Sequence, residues 1–122
     1  TATGCAPGAD AEHADLAVAA ATVAPQQVSI TTKDYFFVAP DSIESGLTTI
    51  QLTNNADELH HVQIVRLADG HSAAELEAYV KANPHGAPPT WVSWVGGPNS
   101  PMPGAESQAT LELTPGNYAL IC

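Results

Sequence analysis

The side chains of this 122-residue chain that could carry chemistry are two cysteines, Cys5 and Cys122, and five histidines, His13, His60, His61, His71 and His85. Thiolates and imidazoles bind transition metals and, when activated, serve as nucleophiles and bases. The spacing removes several of these uses. There is no Cys-x-x-Cys and no Cys/His finger pattern, so a structural zinc site is not indicated. There is no His-Glu-x-x-His run, no nucleophile elbow and no convincing carboxylate pair, so the chain is expected not to be an enzyme. Met102 stands between Pro101 and Pro103, where a loop contact is the plainest use. Glu75 and Glu77 need no role beyond solvation.

The elements around these residues follow from alternation and turn chemistry. Val28 and Ile30 alternate with Ser29 and Thr31. Tyr35-Phe36-Phe37-Val38 is a short aromatic run stopped by Pro40, and Thr48, Ile50 and Leu52 share one face before a turn at Asn54-Asn55. Leu59 to Leu67 is the longest strand expected. His60, Val62 and Ile64 fall on one of its faces, and His61, Gln63 and Val65 on the other. Thr110–Thr114 and Asn117–Cys122 are expected to form a last hairpin across Pro115-Gly116, with Tyr118, Leu120 and Cys122 on one face. A helix interrupts the strands at about 72–83. Ser72-x-x-Glu75 is a capping box, Leu76, Tyr79 and Val80 follow at helical spacing, and Asn83-Pro84 ends the element. The Pro- and Gly-rich stretch from His85 to Ser107 reads as a structured loop, because Trp91, Val92, Trp94 and Val95 need a surface to cover. Short strands with turn signals and one inserted helix predict an all-β fold, a Greek-key β-sandwich. An immunoglobulin-type sandwich would want a cysteine pair across two central strands. Cys5 lies outside the expected sandwich, so that pattern is missing.

Charge narrows the partners. Three basic residues stand against thirteen acidic ones, a formal net charge of −10. Phosphate backbones and anionic lipid both demand Lys and Arg clusters, so no nucleic-acid binding is expected. A basic partner would be attracted instead. Residues 1–26 are poor in large apolar side chains and read as a tail or tether, leaving 27–122 as one domain. No apolar run approaches the roughly 20 residues that span a bilayer.

Two resemblances sharpen this picture. Gly116-Asn117-Tyr118-Ala119-Leu120-Ile121-Cys122 resembles the cupredoxin signature Gly-x-Tyr-x-(aromatic or aliphatic)-x-Cys. Asn54-Asn55-Ala56-Asp57-Glu58-Leu59-His60-His61-Val62 resembles the cupredoxin turn that leads into a ligand histidine. The resemblance covers about residues 27–122 and implies a sandwich of cupredoxin type. A type 1 copper site uses two histidine nitrogens, a thiolate and a weak axial methionine. The resemblance makes His60 and Cys122 copper ligands, with the second histidine and the methionine on the loop after the cysteine. The residues alone leave open that His60 is a histidine satisfied at the sandwich end and that Cys122 is a buried, inert thiol. His61 reads as exposed or as an outer donor. A chain ending inside an apolar core strand would leave an open sheet edge, so the natural protein is expected to continue past Cys122. Separately, Thr1-Ala2-Thr3-Gly4-Cys5 resembles the end of a bacterial lipoprotein signal, which implies lipidation at Cys5. A free thiol and a disulfide to Cys122 are the alternatives.

Two functions are therefore expected, with the first preferred. One is a non-enzymatic, extracytoplasmic (periplasmic) accessory subunit with no cofactor, docking on a membrane protein complex and lipid-anchored through Cys5. The other is a type 1 copper electron-transfer protein, with a basic redox partner such as a c-type cytochrome.

Overall fold

The computed structural model describes residues 23–122. The tail and the readings on Cys5 and His13 lie outside the described residues. In chain order the elements are β1 (Gln26–Lys33), β2 (Phe36–Val38), β3 (Gly46–Asn54), β4 (Gln63–Leu67), α1 (Ala73–Ala82), β5 (Val92–Gly96), β6 (Glu106–Leu113) and β7 (Asn117–Ile121). They form a four-stranded sheet in the order β2-β1-β3-β6 and a three-stranded sheet in the order β5-β4-β7. β1 and β3 run parallel, and the other pairings are antiparallel. The expected all-β sandwich is observed at this level.

The alternating residues do what period two demands. Val28 and Ile30 of β1 and Ile50 and Leu52 of β3 face Val62 and Ile64, and Phe37, Leu111, Tyr118 and Leu120 close around them. This is the inter-sheet core. A second cluster covers the outer face of the smaller sheet. Val65, Leu67 and Ala119 pack there against Leu76 of α1, Trp91, Val92 and Ile121. β4 is thus buried on both faces, which explains its adjacent apolar residues Ile64 and Val65.

Helix α1 matches its expected span, with Ser72 and Asn83 as its caps. The Ser72 hydroxyl accepts from the Glu75 N–H at 3.2 Å, and the Ser72 N–H donates to the Glu75 carboxylate at 2.8 Å. On its outer face the Lys81 ammonium, one turn on, holds the Glu77 carboxyl below its ordinary value by hydrogen bond and charge. Trp91 pins the helix to the sheet. The His71 ring stacks on it with centroids 4.3 Å apart, and Tyr79 meets it edge-on.

Three expectations are corrected. The stretch from His85 to Ser107 contains β5, whose alternation is short and flanked by Pro and Gly. β6 and β7 do not form a hairpin: β6 pairs with β3 in one sheet and β7 with β4 in the other. Gly116 has φ 152°, and the Arg66 guanidinium donates to the Pro115 carbonyl at 2.8 Å, so the Pro115-Gly116 turn arches between the sheets. The strand expected from Leu59 starts only at Gln63. The backbone before it is drawn aside, since the Glu58 carbonyl accepts from the Asn54 side chain at 2.8 Å.

Candidate functional site

β4 and β7 are neighbours, with Gln63 opposite Ile121 and Ile64 opposite Leu120. One further step of this antiparallel register sets Cys122 level with Val62, so the chain segment just before Val62 meets the cysteine. Both sequence-expected metal ligands arrive at this end of the sandwich. The His60 Nδ1 lies 3.7 Å from the Cys122 Sγ. These residues are 62 positions apart in the chain, and only the β4–β7 pairing brings them together.

His61 is there too, with its Nδ1 3.6 Å from the same sulfur. The sequence puts His61 on the face opposite His60, and that expectation fails. Strand alternation does not apply to residues 60 and 61, because they precede the first ladder residue of β4. Cys122 is exposed rather than buried. His60 is largely enclosed, its side chain 14% exposed, and its Nε2 is buried without a hydrogen-bond partner. The Asp34 carboxylate, from the turn between β1 and β2, stands 3.8 Å from that nitrogen.

The segment that carries His60 is held by a residue the sequence reads only as a turn former. Asn54 ends β3 and is fully buried. Its Nδ2 donates to the Glu58 carbonyl at 2.8 Å and to the Pro101 carbonyl at 2.9 Å. Its Oδ1 accepts from the Thr32 hydroxyl at 3.1 Å and the Ala56 N–H at 2.9 Å. All the hydrogen-bonding capacity commonly used by an amide is thereby engaged, and β1, the 54–60 segment and the 99–105 loop are tied to one side chain. On the other flank Gly97 leaves no room for a side chain. A Cβ there would lie 1.9 Å from the Val62 carbonyl oxygen. These constraints set the approach of His60 and His61 to the sulfur.

The remaining candidates are elsewhere or unengaged. His71 belongs to the Trp91 cluster, and Met102 is 65% exposed. A cleft of about 550 Å³ opens between the sheets, walled by Val28, Ile30, Ile43, Tyr118 and Leu120 among others, and neither His60 nor Cys122 lines it. Among the described residues no group of three or more His, Cys, Asp and Glu side chains is arranged to hold a metal ion. No helix of the described residues is long and apolar enough to cross a membrane. No protein-family profile, no curated protein and no solved structure matches the chain.

Proposed function

We propose that this chain is a cupredoxin-type Greek-key sandwich in which His60 and Cys122 are two donors to a single copper ion, and that it serves as a non-enzymatic electron carrier. The observation that carries the reading is the approach of the His60 Nδ1 to the Cys122 Sγ at 3.7 Å. A thiolate and an imidazole nitrogen are the donor types a type 1 copper site uses. Their separation also fits. With metal–donor distances of about 2.3 Å (sulfur) and about 2.0 Å (nitrogen), as zinc sites show, two donors of a trigonal site would lie about 3.7 Å apart. The resemblance would place the remaining donors on a loop after the cysteine.

Copper, when bound, supplies a one-electron couple. The protein's part is to hold the donors and limit access of water. Asn54 and Gly97 fix the backbone on either side of His60, and the ring is mostly enclosed. The net charge of −10 favours a basic redox partner such as a c-type cytochrome, on the extracytoplasmic side. Association with such a partner should weaken as salt rises. A lipid on Cys5 would keep the domain at the membrane.

The other reading, an accessory subunit docked on a membrane protein complex, is favoured by apolar side chains at two sheet edges. Tyr35 and Phe36 are exposed at β2, and Trp94 is 58% exposed on β5. A detergent-stable assembly that Trp94→Glu dissociates would support it, and a freely diffusing blue protein would count against it. The copper reading is tested by metal content. One copper per chain, lost on Cys122→Ser, supports it, and uptake that Cys122→Ser leaves unchanged refutes it.

A further inference from the structure

We infer that Asp34 is the positioning residue that fixes which nitrogen of His60 faces the cysteine. The inference rests on the reading of His60 as a metal donor. Three observations carry it. The His60 Nε2 is shielded from solvent and makes no hydrogen bond. The Asp34 carboxylate is the acidic group beside it, with Oδ1 at 3.8 Å. The other ring nitrogen, Nδ1, is the one directed at the sulfur.

A neutral imidazole has one N–H and one lone pair, and the neighbour of one nitrogen decides the role of the other. A carboxylate beside Nε2 favours the tautomer with its proton there, since an anion attracts an N–H and repels a lone pair. That leaves Nδ1 as the lone pair, the form a metal donor requires. The 3.8 Å separation exceeds a hydrogen bond. Asp34 is 49% exposed, so a rotamer adjustment can shorten the contact without disturbing the core. The turn holds it within range. Tyr35 adopts a left-handed backbone conformation at φ 70°, and the Asp57 N–H donates to the same Asp34 oxygen at 3.4 Å. Asp34 therefore links the β1–β2 turn to the segment that carries His60. Nothing in the sequence marks it, because residues 34 and 60 are brought together only by the fold.

The test uses the metal-free full chain first. Long-range proton–nitrogen correlation spectra at pH 8, assigned with His60→Gln, should show His60 mainly as the Nε2–H tautomer. Asp34→Ala should mix the two tautomers. Asp34→Asn should retain the wild-type form, because its carbonyl oxygen still accepts. Titration with Cu(II) should then show Asp34→Ala binding about 10–100-fold more weakly, with Asp34→Asn between. Asp41→Ala, which removes an acidic group from another part of the surface, should match wild type in both measurements. A His60 tautomer and a copper affinity both unmoved by Asp34→Ala would overturn the inference. If the wild-type chain takes up no copper while its His60 tautomer still follows Asp34, the copper reading fails and the positioning of the ring by Asp34 stands.

Discussion

Replacing Asn54 with leucine is the sharpest perturbation of the framework that presents His60. The side chain is fully buried, and leucine has the same number of side-chain heavy atoms with the same branching, so the change removes hydrogen bonds without opening a cavity. Four bonds are lost, to the Glu58 and Pro101 carbonyls, the Thr32 hydroxyl and the Ala56 N–H. At a net value of about 1 kcal/mol each the loss is about 4 kcal/mol, and partners left unpaired in the core push it higher. Relaxation of the Glu58 and Pro101 segments toward water pulls it down to about 2 kcal/mol. Either figure is a large share of the roughly 5–15 kcal/mol that holds a domain folded. The assay is equilibrium unfolding in urea, with the neighbouring, exposed Asn55→Ala as control. With a slope of about 1.5 kcal/mol per molar, the midpoint should fall by about 1.3–2.7 M in Asn54→Leu. The control should stay within about 0.5 kcal/mol of wild type. An Asn54→Leu midpoint no lower than that of Asn55→Ala would refute the assignment of Asn54 as the tie between β3 and the His60 segment.

Other perturbations test separate parts of the structure. Gly97→Ala forces a Cβ against the Val62 carbonyl and should cost about 3 kcal/mol, seen as a melting temperature lower by more than about 10 °C; an unchanged melting temperature would contradict the close approach. Ser72→Ala removes one half of the capping box and should destabilise by about 1 kcal/mol in urea unfolding, whereas Ser93→Ala, on the exposed part of β5, should not. Lys81→Met should return the Glu77 carboxyl upward toward its ordinary value, read by NMR titration of its side-chain carbon. Because the folded value is depressed, the pair's contribution to stability is present above the unfolded value and is lost as pH falls through the folded one. Lys81→Met should flatten that part of the stability profile, and a Glu77 midpoint that does not move would refute the pairing.

The parts of the fold legible in the sequence are those set by local rules. Val28/Ile30 and Ile50/Leu52 announce their inward faces by alternation, and Ser72/Glu75 announce the helix start by a reciprocal cap that needs no tertiary partner. What failed depends on contacts between distant segments. Proline and glycine on both sides of Val92–Gly96 mask a strand that exists because β4 offers it an edge. Thr110–Thr114 and Asn117–Cys122 look like a hairpin, yet the turn between them carries the chain from one sheet to the other, as the pairing of β6 with β3 and of β7 with β4 requires.

The candidate site divides in the same way. His60 and Cys122 are singled out by two short motifs, and the β4–β7 register brings them together. Period two does not place His61, because residues 60 and 61 precede the first ladder residue, Gln63. Asn54 and Asp34 carry no sequence signal for their roles. Asn-Asn reads as a turn, and an aspartate between strands reads as solvated. In the folded chain the first is the most heavily hydrogen-bonded side chain near the site, and the second faces a buried imidazole nitrogen.

The central claim is that His60 and Cys122 are donors to one copper ion. Its most direct test is Cu(II) titration of the intact chain, with metal analysis and optical spectroscopy on wild type, His60→Gln and Cys122→Ser. One copper per chain is expected, with an intense visible thiolate-to-copper absorption that is absent in Cys122→Ser and lost or strongly altered in His60→Gln. Copper uptake and colour that survive both substitutions, or a wild-type chain that takes up no copper, would contradict it.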